Sequence, residues 1–428
     1  MAVTSRGEYP GKVLRFSPLV LSLAACTPGG VGPAPILDTD PVPGETDRPV
    51  DSTEWVPESD GCTPETLFST STVHAIGLEL SESSIAALEL DPSVYVQGAV
   101  TLGQRRLEPV GVRLKGNSSY QWIDRKPAWK IDLDEFVDGW ELCGLEHITL
   151  HNNVWDTSMM AETLAYRSFT AIGSPAPRTG YATVQLNGEA LGLYTLVEAM
   201  DKDFVHHRWP GSEGGLWEMA RNCDFEGACG CFDPKWMGEN FDETALTRAC
   251  EGVAEGTVDA MWRVFDREPM LAFMAAEMVV NHPDSYTYNL NNWHMVHDPI
   301  EDRISLSPWG ADSTFIYHYP PSGDHPCEVW DRYDNFTDGY LGDVSYFCRH
   351  DTACWAELAE ATLRAVDRFE ALGMPALVEQ TRDLIRPYVF ADPRIEWPPE
   401  YFDHKTDCLV EWTERRPDAV RAWVATGP

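Results

Sequence analysis

Twelve residues, "NHPDSYTYNLNN" from Asn281 to Asn292, gather short polar side chains directly after the apolar run "MLAFMAAEMVV". A solvent loop would draw more on Gly, Ser, Lys and Pro. Asn and Asp are also the short oxygen ligands that a metal–phosphate site uses. Asp284 and Asn289 stand five positions apart here, and Asp312 follows in "SPWGADST" at the end of an expected strand. One carboxylate to orient or deprotonate a hydroxyl and a second to hold a metal are the minimum for phosphoryl transfer. The plain alternative for the Asp-x4-Asn spacing is an Asx-turn closing a helix. Phosphates also require cations. Arg113, Lys115, Lys126 and Lys130 cluster in an otherwise acidic chain, and strand alternation puts Arg113 and Lys115 on one face. A charged strand edge would account for the same residues.

The elements that must carry these groups are legible from periodicity. "TVHAIGLEL" alternates as a strand, and "SESSIAALEL" opens with Ser as a short capped helix. "SVYVQGAVTL", "LEPVGVRLKG" and "AWKIDLDEF" read as further strands separated by turns. "DTSMMAETLAYRSFTAIG" combines an N-cap cluster, helical apolar spacing and a Gly stop. "TGYATVQLNGEALGLYTLVEAMD" is a hairpin turning at Asn187-Gly188. Residues 62–200 are thus β-rich with one principal helix. A Cys- and Gly-rich insertion at about 210–255 follows, and then helices at 258–280, 354–371, 374–387 and 408–424.

The chain's 428 residues suffice for a large core in one bilobed unit or two domains. Its formal net charge of −36 argues against nucleic-acid binding, which needs a basic footprint. Residues 1–25 read as a secretory signal: Arg6, Lys12 and Arg15 precede the apolar "FSPLVLSLAA". A membrane span would need about 20 apolar residues. The closing "LAAC" resembles a bacterial lipobox, which implies that Cys26 is lipidated; an ordinary signal cleaved nearby is the alternative. Thr27 after it favours the outer membrane, by resemblance to Gram-negative lipoproteins. Residues 26–61 are acidic and Pro-rich and predict a disordered tether. Of eleven cysteines, Cys26 would be the anchor; the remaining ten are an even set compatible with five disulfides in an oxidising compartment. Cys348 and Cys354 are spaced to close a small loop.

Several stretches resemble the CotH family of spore-coat-type atypical protein kinases. They are "VGVRLKGNSSYQWIDRKPAWKIDLDEF", "ITLHNNVWDTSMMAETLAYRSF", "VQLNGEALGLYTLVEAMD", "HPDSYTYNLNNWHMVHDPIEDRISLSPWGADSTF" and the closing "ERRPDAVRAWV". The similarity runs in order over roughly residues 72–425. It implies an α+β, atypical protein-kinase-like bilobal fold across 62–425: a β-rich N-terminal lobe with one main helix (62–200) and a mainly helical C-terminal lobe (201–425). It further implies Asp284 as the catalytic residue that orients or deprotonates the acceptor, with Asn289 and Asp312 as metal ligands. Lys130 would be the phosphate-binding lysine, with Arg113 and Lys126 beside it. Glu198 would lie at the lobe junction near adenine. Glu162 is either the helix acid that pairs with Lys130 or a solvent-facing glutamate. "GNSS" at Gly116 to Ser119 can cradle phosphate through its backbone, in the absence of a GxGxxG loop.

The chain departs from ordinary kinases at Pro283, where Arg would stand, and at Ser313, where Phe would follow the metal-binding Asp. The implied activity is phosphate transfer from ATP, with Mg2+ or Mn2+, to a protein of the cell surface or envelope. The membrane would be met only through the N-terminal lipid. The alternative is a catalytically weak or inactive CotH-like adhesin or envelope-assembly module, since an exported lipoprotein meets little ATP. A Ca2+-dependent carbohydrate-associated module is a third class, resting on acidity and Trp content.

Overall fold

Alternating burial along Arg105–Lys115 decides where the basic residues go. Val110, Val112 and Leu114 are fully buried, whereas Arg113 and Lys115 emerge on the other face. This strand is one of seven in a closed barrel of the computed structural model, which describes residues 61–220, 222–225, 229–315, 327 and 342–427. The strands are β1 (Val73–Leu80), β2 (Val96–Leu102), β3 (Arg105–Lys115), β4 (Ala128–Asp132), β5 (His147–His151), β6 (Thr179–Leu186) and β7 (Glu189–Val197). Their order is β1-β2-β3-β4-β5-β7-β6, and a parallel pairing of β6 with β1 closes the ring. Closure removes the exposed edges that a short sheet would otherwise offer. The interior is packed with Ile76, Val112, Trp129, Ile148, Val184 and Leu196. The β-rich half expected from sequence is present, and its strands close on themselves.

Two short helices, α1 (Pro64–Leu67) and α2 (Glu82–Leu90), flank β1, and α3 (Ala161–Ile172) links β5 to β6. The α3 helix is the main one of this half. Asp156 starts it: one carboxylate oxygen accepts from Ala161 N at 2.8 Å, the other from Ser158 N at 2.8 Å and Ser158 Oγ at 2.5 Å. Gly173 ends it at φ 102°, a left-handed position that glycine tolerates.

Beyond the barrel come α4 (Lys202–Arg208), β8 (Gly215–Met219), β9 (Phe232–Met237), α5 (Thr244–Ala254), α6 (Val258–Met261), α7 (Arg267–Val279) and α8 (Tyr286–Asn289). They are followed by β10 (Trp293–Asp298), β11 (Arg303–Pro308), α9 (Asp343–His350), α10 (Thr352–Ala371), α11 (Met374–Phe390) and α12 (Glu400–Thr426). This half is mixed, because β11-β10-β8-β9 forms a four-stranded sheet. Two of its strands come from the Cys-rich segment that the sequence reading treats as an insertion. The single helix expected at 258–280 is two helices, for a definite reason. Asp266 N donates to Ile304 O and Ile304 N to Val264 O, so the backbone between α6 and α7 is engaged by β11. A second hydrophobic cluster joins α3 to α7, α10, α11 and α12 through Phe169, Phe273, Met274, Val366, Ile385 and Trp412.

All ten cysteines from Cys62 onward are paired: Cys62–Cys143, Cys223–Cys231, Cys229–Cys250, Cys327–Cys408 and Cys348–Cys354. Among the described residues no helix is long and apolar enough to cross a membrane. Cys26, the signal segment and the tether up to residue 60 lie outside the described residues.

Candidate active site

One cleft of about 1250 Å³ draws its walls chiefly from the end of β3 with the loop after it, the end of β5, the segment between α7 and β10, and the turn after β11, with Glu218 and Met219 of β8 also lining it. Arg113, Lys115, Gly116 to Ser119, His151, Asp284, Asn289 and Asp312 all line it. The loop after β3 turns sharply at Gly116, whose φ is 109°. A Cβ there would stand 2.9 Å from both Ser119 Oγ and Tyr120 N, so only glycine fits.

The stretch Asn281–Asn292 organises itself around Asp284. One carboxylate oxygen accepts from Asn289 Nδ2 at 2.5 Å; the other accepts from Asn291 Nδ2 at 3.0 Å and Asn292 Nδ2 at 2.9 Å. The asparagines therefore aim a carboxylate, and Asn289, whose amide nitrogen is engaged by Asp284, keeps an amide oxygen with acceptor capacity. Beneath them, the buried Glu277 on α7 accepts from Tyr286 N at 3.1 Å and Thr287 N at 2.9 Å. Burial pushes its carboxyl up to about 8, although the hydrogen bonds it accepts oppose this. Glu277 thus positions the loop from inside the core. Sequence reasoning passed over it, since a lone Glu in a Met- and Ala-rich helix carries no spacing signal.

Asp312 lies in the turn after β11, where burial, Glu162, Asp156 and Asp284 push its carboxyl up to about 8 against the pull of Lys115. Lys115 is held down to about 8 by burial, partly offset by Glu162 and Asp312. Its Nζ lies 2.6 Å from His151 Nε2, and His151 Nδ1 lies 2.7 Å from Glu162 Oε2 on α3. Glu162 is buried rather than solvent-facing. Burial would raise its carboxyl, but His151, Tyr166 and Lys115 outweigh burial and hold it below the usual range.

The other expected nucleotide contacts are placed elsewhere. Lys130 pairs with Arg113 across β3 and β4 and shares its face, yet it is not among the residues lining the cleft. Lys126 donates to Asp392 Oδ2 at 2.6 Å in a buried ion pair, which ties the barrel to the segment after α11. It lines a smaller cavity of about 300 Å³ that shares Asn152 and Trp155 with the main cleft. Glu198 is buried and accepts from Arg178 N, Nε and Nη2 and from Arg208 Nη2, at 2.9, 3.0, 2.6 and 2.7 Å. Those bonds exhaust a carboxylate, so Glu198 is engaged as a structural clasp. The sequence signal that could have favoured Lys115 over Lys130 is its place directly before the Gly116 turn.

A protein-family model described as CotH kinase protein matches residues 112–420. The chain belongs to the CotH kinase family. This match contains every charged cleft residue named above. No curated protein matches the CotH-family chain significantly. Among solved structures it is similar to the crystal structure of a Helicobacter pylori proinflammatory kinase, CtkA, at 10% identity and a TM-score of 0.34, covering 73% of this chain and 94% of that one.

A second group of potential ligands sits apart from these residues. One ligand atom each from Asp132, Asp134 and His147 lie within 4.8 Å of one another. His147 is also clasped by carboxylates on both ring nitrogens, Asp132 Oδ2 at 3.2 Å and Asp201 Oδ2 at 2.8 Å. That arrangement suits a charged imidazole holding β4, β5 and the start of α4 together.

Proposed function

We propose that the cleft transfers phosphate from ATP, with Mg2+ or Mn2+, to a hydroxyl of a surface or envelope protein, and that the chain is exported and lipid-anchored at Cys26. The observation that carries this reading is the convergence of Asp284, Asp312 and Lys115 on one cleft from three separate parts of a chain in the CotH kinase family. Asp284, aimed by three amides, is suited to orient an acceptor hydroxyl. Lys115 and Arg113, with the backbone of Gly116 to Ser119, supply the positive lining that phosphates need.

The residues present fit a hard divalent cation. Asp312 and the side-chain carbonyl oxygen of Asn289 are oxygen donors of the kind Mg2+ and Mn2+ take. Asp312 is buried beside Glu162, Asp156 and Asp284, an excess of negative charge that a cation would relieve. When bound, such an ion would neutralise charge on the phosphate oxygens.

The test is nucleotide binding by calorimetry and phosphate transfer from labelled ATP, using purified, oxidised protein with each metal. Metal-dependent binding and transfer support the reading. A protein that shows neither leaves the cleft as the relic of a fold serving an adhesin or assembly role.

A further inference from the structure

Between Lys115 and Glu162 stands a histidine. His151, the last residue of β5, bridges the two at 2.6 Å and 2.7 Å, and Tyr166 OH donates to the other Glu162 oxygen at 2.9 Å. Glu162 and Tyr166 are buried, with Glu162 2% exposed, while His151 (12% exposed) and Lys115 reach the cleft wall. The imidazole packs edge-on against Trp309 at 5.5 Å, and Lys115 Nζ sits over the same indole at 5.6 Å.

Donor and acceptor counting then assigns the protons. An ammonium offers only donors and a carboxylate only acceptors. With Lys115 charged, Nε2 must be the bare nitrogen that accepts from it. Nδ1 must therefore carry the hydrogen donated to Glu162. The chain runs ammonium to neutral imidazole to carboxylate, with each bond in its proper direction.

We propose that His151 is a positioning residue for Lys115, transmitting the placement of α3 through Glu162 to the cation that grips phosphate. Protein kinases usually join this lysine and helix acid directly. Here the two meet through an intervening ring, so the aim of Lys115 depends on a β5 side chain as well as on α3. The inference rests on the phosphoryl-transfer reading and adds a residue that this reading does not need.

Two measurements test it. Nitrogen-15 NMR of ring-labelled histidines, with the His151 signal assigned from its loss in His151→Gln, is expected to show a neutral ring protonated on Nδ1 at neutral pH. An imidazolium, or a ring protonated on Nε2, would overturn the relay. Binding of inorganic triphosphate and of ATP with Mg2+ or Mn2+ is expected to weaken about 10–100-fold in His151→Ala, as for loss of a hydrogen bond to a charged group. His151→Gln can accept from Lys115 and donate to Glu162 through one amide, so it is expected to recover most of that loss. A purely structural role would show as equal losses in both variants, following their melting temperatures, and would overturn the proposal. Binding unchanged in His151→Ala overturns the relay alone. Wild-type protein that binds neither probe overturns the kinase reading, and with it the phosphate role of His151.

Discussion

A carboxylate held by three asparagine amides differs in its response to mutation from one buried among other acids. Asp284→Asn removes the charge that orients an acceptor but keeps the size of the side chain. Turnover is expected to fall about 10²–10⁴-fold, with nucleotide affinity nearly unchanged. Asp312→Asn removes a metal donor, so metal-dependent nucleotide binding is expected to weaken together with turnover. Calorimetry beside single-turnover phosphate transfer separates the two; equal behaviour of the variants would refute the division of roles. The same assay distinguishes the lysines. Lys115→Ala is expected to lose nucleotide affinity by about tenfold or more, the worth of a charge-assisted hydrogen bond. Lys130→Ala, whose side chain does not line the cleft, is expected to lose much less.

Strands and helices are joined here by buried polar clasps as much as by apolar packing. His147 shows how this couples to pH. Burial alone would lower its imidazole, yet bonds to Asp132 and Asp201 raise it to about 9. The folded value lies above the ordinary 6.5. The clasp therefore stabilises fully below pH 6.5 and is lost as pH rises through about 9. The linkage is worth roughly 3 kcal/mol at most. Chemical denaturation at pH 6 and pH 9.5 is expected to show this loss in the wild type and a smaller one in His147→Gln, the difference isolating the clasp from other titrations. Identical pH dependence in the two proteins would rule the clasp out.

The whole molecule is stapled by five disulfides, two of which span 81 residues each. Thiol titration of denatured, unreduced protein is expected to find almost no free thiol. Replacing Cys327 and Cys408 by Ser together is expected to cost about 4.5 kcal/mol, the chain-entropy value for a loop of that length. An unchanged denaturation midpoint would show that this staple constrains nothing. At the other end, Cys26→Ser is expected to move the mature chain into the soluble fraction. A wild type that never incorporates radiolabelled palmitate would refute the anchor.

Local patterns carried much of this protein's outline. Alternation marked the strands from Val73 to Lys115, the Asn187-Gly188 pair placed the β6–β7 hairpin, and the even cysteine count foretold complete pairing. The cluster of asparagines flagged the segment around Asp284, because short amides and carboxylates in one run are visible without a fold. Tertiary structure alone decided the rest. Whether β6 returns to β1 depends on register across more than 100 residues, which periodicity does not encode. Lys115 and Lys130 lie on the same strand face, so alternation treats them alike; only the cleft's walls tell them apart. His151 sits at a strand end with no motif of its own. Its role arises because β3, β5 and α3 bring an ammonium and a carboxylate to opposite sides of one ring.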